Sequence, residues 1–431
     1  MNKIKEKEEI LLIEGQRKLE GVLKVSGAKN SALPNMAASI LTDDYLYLEN
    51  VPELLDIETM SSLLSNIGID VHRNGNSILL KLSKEPNLKA SYEFVKKMRA
   101  SVLVLGPLLA RFGNAQVSLP GGCAIGERPI DLHIEALQKM GADITLKEGD
   151  IIAKAPNGLK GAKIEFRKKT VTGTENIMMA ATLAKGTTII KNAAKEPEVV
   201  DLANLLIKMG ADIEGAGTDE IIINGVSYLK GAKHKIIPDR IEAGTFAVLS
   251  ALTEGKILIE NYPFEYLEYV NNILEDIGIS VIKVGERNAV IKRRENIKPI
   301  NIETKEYPYF PTDLQAQFMV LLCFAEGTSI IKENIFENRF MHVPELRRMG
   351  ADINLDGFGK VATVKGVKSL EGTIVKATDL RASAAMLIAG LVAKGTTIIE
   401  DIYHLFRGYE KIEEKLNGIG AKIERKYKKD I

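Results

Sequence analysis

The chain has 431 residues, 45% of them hydrophobic and 27% charged, with 58 Lys+Arg against 57 Asp+Glu for a net charge of +1. That length suits two or more soluble globular domains with sizeable cores, and the balanced charge provides no global field for nucleic acid or a membrane surface, so any anion site must be local. The two cysteines, without CxxC or paired spacing, argue against a disulfide scaffold or a zinc site and fit a reducing cytosol.

In chain order, the mixed-charge start Met1–Glu9 lacks the apolar core of a signal peptide. Two strand-like runs follow, Leu11–Gly15 and Leu19–Val25. From Lys29 onward one pattern repeats: an apolar helix, a short strand, a second helix, then further strands. The second helix of each copy ends at a Met/Ile-Gly marker: Gly68, Gly141, Gly210, Gly278, Gly350 and Gly420, spaced about 70 residues apart. A second marker opens the strand after the first helix, at Gly113, Gly186, Gly255, Gly327 and Gly395. Leu202, Leu205, Leu206 and Met209 have helical spacing, and runs such as Gly186–Ile190 have strand composition. The apolar run Ala382–Ala393 is too short to span a bilayer and reads as a buried helix, as does Met319–Ala325 around Cys323.

The sixth copy stops before its final strand pair, and the two N-terminal runs are its expected completion. This predicts a three-repeat domain over 29–238 and a second over 1–28 plus 239–431, with two chain crossings and a ligand cleft between them. The expected fold class is α/β, with six pseudo-symmetric repeats.

The repeat also locates chemistry. Lys29, Arg99, Thr172, Arg240, Asp313 and Arg381 occupy equivalent positions at the start of each copy's first helix. Helix N-termini favour anions, so four cations placed there call for an anionic ligand. The second copy is longer than the others between Gly113 and Gly141. The added residues fall in Pro120-Gly121-Gly122-Cys123-Ala124-Ile125-Gly126, which reads as a functional lid carrying an exposable thiol beside Arg128. From the residues alone, Cys123 is open to reading as a nucleophile, a redox thiol or an incidental turn residue.

Several segments together resemble the UDP-N-acetylglucosamine enolpyruvyl transferase family: Ser26-Gly27-Ala28-Lys29-Asn30, Met98-Arg99-Ala100-Ser101, Pro120–Cys123 with Arg128-Pro129, Phe310-Pro311-Thr312-Asp313, Phe336-Glu337-Asn338-Arg339, Thr378–Ser383 and Arg407-Gly408-Tyr409-Glu410. The resemblance implies two inside-out α/β barrel-like domains of three repeats each. It also implies transfer of the enolpyruvyl group of phosphoenolpyruvate to the 3′-hydroxyl of the nucleotide sugar, an early step of peptidoglycan precursor synthesis. On this basis Lys29, Arg128 and Arg407 would hold phosphate, with Asn30 beside them, and Arg339 and Arg381 would hold the carboxylate. Arg99, Arg128, Pro129, Ile130, Asp131, Leu132, Lys168, Thr170, Val171, Thr172, Asp313 and Ile335 would line the nucleotide-sugar site. Asp313 would be the base at the sugar hydroxyl and Cys123 the acid delivering a proton to C3. Some relatives carry Asp at the Cys123 position, which suits proton donation, and a Cys there implies fosfomycin sensitivity.

Phe406 departs from the family pattern, which has Asp before the Arg407 equivalent. No metal or cofactor is implied, the expected location is cytoplasmic, and a monomer fits. No nucleic-acid or membrane partner is expected. Alternatives are enolpyruvyl transfer to shikimate 3-phosphate, whose enzymes lack the Cys-bearing lid, and a non-catalytic repeat protein.

Overall fold

The computed structural model describes residues 8–119 and 130–430. The chain forms two compact units, one of residues 27–119 and 130–237, the other of residues 8–26 and 238–430. Each has its own apolar core, running from Ala28 to Ile236 in the first and from Leu11 to Ile423 in the second.

The described strands form six four-stranded sheets, three in each unit. One copy explains the pattern. Lys163–Glu165 runs parallel to Thr187–Lys191, which pairs antiparallel with Glu220–Asn224, itself paired with Asp212–Glu214. A parallel pair needs a crossover, and the helix Val171–Ala181 supplies it. Thr188 and Ile190 are buried while Thr187 and Lys191 are exposed, so only one face of this strand is covered. Val171–Ala181 is buried throughout from Gly173 onward. The helix Pro197–Lys208 is amphipathic instead, with Leu202, Leu205 and Leu206 inside and Lys208 outside. In the second unit the equivalent crossover helices, Arg240–Leu252, Gln315–Leu322 and Leu380–Val392, pack against one another. Their near-total apolar burial explains why Ala382–Ala393 reads as buried rather than membrane-spanning, and no described helix is long and apolar enough to cross a membrane.

The Met/Ile-Gly markers have a conformational cause. Gly68, Gly141, Gly210, Gly278, Gly350 and Gly420 all lie at positive φ, between +91° and +114°, where the chain leaves the helix. A side chain there would meet its own backbone, so glycine recurs. A related signal escaped the sequence reading. Asn50, Asn192, Asn261 and Asp401, each just after a strand, also have positive φ (52° to 59°). Asn and Asp are the non-glycine residues that tolerate this region best. Asn50 and Asn192 additionally donate their side-chain amides to Ile236 O (2.9 Å) and Phe166 O (2.7 Å), beside the neighbouring parallel strand.

The expectation for the two N-terminal strands needs correction. Glu9–Glu14 does complete the last sheet, between Thr396–Glu400 and Lys422–Tyr427. Gly21–Lys24 does not; it runs parallel to Ile257–Glu260, in the sheet of the fourth copy. By the repeat's logic it should pair with Leu46–Glu49, the strand after its own helix, but Ala232–Lys235 holds that place. The first sheet of each unit has no preceding copy to supply its parallel strand. The chain supplies one by passing from the second unit to the first after Ser26 and back after Ile237.

Two buried histidines make stability depend on acidity. Burial, and secondarily the charge of Arg99, lowers His133 to about 4. Burial also lowers His342 to about 4, with Asp379 opposing and Arg339 assisting. The unfolded chain protonates near the ordinary histidine value of about 6.5. Their contribution is therefore complete above pH 6.5 and is lost as the pH falls toward 4. We expect urea unfolding to show stability declining over that window, by up to about 3 kcal/mol per histidine. His133→Asn should flatten the decline, and an unchanged slope would remove this account.

Candidate functional site

In the unit of residues 8–26 and 238–430, three of the predicted residues meet. Asp313 lies in the short helical turn Thr312–Leu314 that leads into Gln315–Leu322. Arg339 donates through Nη2 to Asp313 Oδ1 at 2.8 Å, and Arg381 through Nη2 to Oδ2 at 2.9 Å. Each carboxylate oxygen thus holds one guanidinium. Both arginines are about 4% exposed, whereas the Asp313 side chain retains 28% exposure, so the cluster opens at its acid.

Asp379, whose place in the sequence carries no sign of a role, organises the arginines. Its Oδ1 accepts from the backbone N–H groups of Arg381 (2.8 Å) and Ala382 (3.1 Å), capping the helix Leu380–Val392, and lies 3.7 Å from Arg339 Nη1. Capping satisfies helix donors that would otherwise face the arginines, and the carboxylate offsets their charge. Tyr409, also without an assigned role, accepts from Arg381 Nη1 at 3.3 Å; its hydroxyl lies 3.0 Å from Thr245 Oγ1 and accepts from Gln317 Nε2 at 3.3 Å. Burial disfavours the Arg381 charge, but Asp313, Tyr409 and Asp239 outweigh it and hold its pKa above the usual arginine value. The guanidinium is a permanent cation in a low-dielectric place, suited to binding a planar carboxylate. Arg407 caps the helix Tyr403–Phe406, and Ile335 donates its N–H to Glu333 Oε1 at 2.8 Å. Both are half-buried.

The other unit carries the remaining predictions. Lys29 opens the helix Lys29–Ala37, is 7% exposed, and donates to Asp56 Oδ2 at 2.9 Å. Asp56 was not predicted; as one acidic residue in a helix's first turn, it carried no distinguishing signal. Asn30 is exposed beside Lys29. Arg99 opens the turn Arg99–Val104. Thr170 caps Val171–Ala181 by accepting from Gly173 N at 3.1 Å. Thr172 Oγ1 lies 3.4 Å from His133 Nε2, and Asn176 donates Nδ2–H to His133 Nδ1 at 3.0 Å. That bond leaves the imidazole proton on Nε2, facing Thr172, as suits a neutral ring.

Asn176 is itself fixed: it accepts from Gly106 N at 2.7 Å and donates to Val102 O at 3.1 Å. Its approach leaves no room for a side chain at residue 106, since a Cβ would fall 2.3 Å from its oxygen. Ile130 and Leu132 are buried, and Val171 is half-buried. Asp131 pairs with Arg167, which also donates to Glu135 at 2.8 Å. Lys168 is exposed next to Arg167. Cys123, Arg128 and Pro129 lie outside the described residues, as does the expected lid. Cys323 is fully buried, and burial pushes its thiol up to about 12.

Taken together, one unit presents a desolvated arginine pair with a partly exposed acid, and the other a buried lysine with a capped helix start and a neutral histidine. Such groups can bind anions and move a proton. The sequence matches the family model described as EPSP synthase (3-phosphoshikimate 1-carboxyvinyltransferase) over residues 13–416. It is 55% identical over 416 residues to a UDP-N-acetylglucosamine 1-carboxyvinyltransferase of Geotalea uraniireducens, covering 96% of this chain and 99% of the relative. It is 53% identical over 420 residues to the protein of that name from Acidobacterium capsulatum, covering 96% and 95%. The enolpyruvyl transferase NikO from Streptomyces tendae superposes with a TM-score of 0.88 at 25% identity, over 97% of this chain and 99% of its own. EPSP synthase from Acinetobacter baumannii shares the fold, with a TM-score of 0.75 at 19% identity over 97% and 100%. The chain belongs to the EPSP synthase family of enolpyruvyl transferases, among the UDP-N-acetylglucosamine 1-carboxyvinyltransferases.

Proposed function

We propose that this protein transfers the enolpyruvyl group of phosphoenolpyruvate to the 3′-hydroxyl of UDP-N-acetylglucosamine, in the cytoplasm, as a step of peptidoglycan precursor synthesis. The observation that carries the reading is Asp313 held between Arg339 and Arg381, in a chain 55% identical to a UDP-N-acetylglucosamine 1-carboxyvinyltransferase along nearly all its length. Arg339 and Arg381 bind the carboxylate of phosphoenolpyruvate, while Lys29, Arg128 and Arg407 hold its phosphate, with Asn30 nearby. Arg99, 128–132, Lys168, Thr170–Thr172 and Ile335 contact the nucleotide sugar. The exposed Asp131–Arg167 pair suggests that Arg167 shares the role given to Lys168.

Asp313 takes the proton of the sugar hydroxyl as its oxygen bonds to C2, and Cys123 delivers a proton to C3. The tetrahedral adduct then loses a proton from C3 and expels phosphate, restoring the double bond. The buried cations stabilise this charge because they are fixed in place before it develops. We also read each unit as an inside-out barrel-like domain of three pseudo-symmetric repeats, a reading supported by the mutually packed helices of the second unit.

Phosphate should be released from phosphoenolpyruvate only when UDP-N-acetylglucosamine is present. Release that ignores the nucleotide sugar, or that responds instead to shikimate 3-phosphate, would overturn the assignment. Asp313→Asn should lower kcat by about 10²- to 10⁴-fold with modest changes in either KM, the range for loss of a general base. An unchanged kcat would remove Asp313 from that role. Fosfomycin should modify Cys123 and leave the buried Cys323 untouched. Peptide mapping of Cys123→Asp should then find turnover without a covalent label; a label elsewhere in the chain would contradict the proposed position of the thiol.

A further inference from the structure

Ser26, the last residue before the first crossing, uses every hydrogen-bonding group it has. Its N–H donates to Glu242 Oε2 at 2.6 Å and its carbonyl accepts from Asp239 N at 2.9 Å. Its hydroxyl donates to Glu410 Oε2 at 2.7 Å and accepts from Lys415 Nζ at 2.6 Å. Lys415 reaches Glu242 Oε1 as well, at 2.7 Å, with its ammonium 5.7 Å from the centre of the Phe246 ring. Burying Glu242, which is 2% exposed, is costly unless it is paired, and Lys415 and the Ser26 N–H provide the pairing. A chain crossing does not require this much polar fixation.

Glu410 closes the segment Arg407-Gly408-Tyr409-Glu410, and three successive residues of that segment are fixed. At Gly408 a Cβ would stand 2.6 Å from Leu380 Cδ1, so the backbone lies directly on the helix that carries Arg381. Tyr409 is held by Arg381, Thr245 and Gln317. Glu410 is held by Ser26. Arg407 stands at the head of this segment. Lys415 occupies the acceptor side of the Ser26 hydroxyl, which directs its proton toward Glu410.

We propose that Ser26 is a positioning residue for Arg407, acting through Glu410, with Lys415 orienting the Ser26 hydroxyl. The proposal rests on the assignment of Arg407 to the phosphate of phosphoenolpyruvate. Ser26→Ala should raise the KM for phosphoenolpyruvate about tenfold, the size expected for losing one hydrogen bond to a charged group, and leave the KM for UDP-N-acetylglucosamine within about twofold. Ser26→Thr, which keeps the hydroxyl, should restore most of the loss. Ser26→Ala/Glu410→Ala should be no worse than the poorer single variant, because both remove the same bond. A merely structural role would move both KM values together, and additive substitutions would mean that the two residues do not act through their shared bond; either result overturns the proposal. Arg407→Ala, measured alongside, separates the premise from the inference. An unmoved phosphoenolpyruvate KM there removes the premise, and the proposal with it. A raised KM there, with Ser26→Ala unaffected, overturns the positioning role alone.

Discussion

A parallel strand needs a crossover from its partner, and here each sheet takes its parallel strand from the copy before it. The first copy of a unit has no predecessor. Ala232–Lys235 meets this need in one unit and Gly21–Lys24 in the other. The division of the chain, its two crossings and the burden on Ser26 all follow from this one requirement. Gly27 shows how tightly the crossing is built: a Cβ there would fall 1.7 Å from Asn50 O. The carbonyl it approaches belongs to one of the residues held at positive φ after a strand.

The charged groups follow a second constraint. Arginine cannot shed its proton inside a protein, so burying Arg339 and Arg381 requires permanent anionic partners. Asp313 and Asp379 provide them, and they differ in what else they do. Asp379 is occupied by the helix cap it makes, whereas Asp313 keeps part of its surface in solvent. One carboxylate is therefore taken up by structure, while the other, paired with both arginines, keeps a face that solvent reaches. The polar layer behind them, Tyr409 with Thr245 and Gln317, holds Arg381 in orientation without adding charge.

The repeat was legible because its markers are backbone necessities. A residue at φ near +100° is glycine for a steric reason that leaves a mark on the sequence every time. The helix-start positions were legible through the same periodicity, and all six lie in a first turn. Partners were not. Asp56, Asp379 and Tyr409 are ordinary residue types at ordinary spacings, and only the packing of distant segments brings them to Lys29, Arg339 and Arg381. Arg167 and Lys168 are adjacent exposed cations at one bend, and charge alone does not choose between them. The misassigned strand Gly21–Lys24 has the composition of an N-terminal partner for either sheet, and topology decided between them.

The sheet that joins Glu9–Glu14 to Lys422–Tyr427 has a bearing on how the protein is made. Glu14 faces Lys422, 408 positions later, so during synthesis this strand waits for a long stretch of chain before that edge is paired. The unit of residues 27–119 and 130–237 has no such delay and can close as soon as its own last strand emerges. Until then Leu11 and Ile13, fully buried in the finished fold, sit on an unpaired apolar edge. Charged residues flank that strand, Glu8 and Glu9 on one side and Arg17 and Lys18 on the other, a placement that disfavours pairing with other chains.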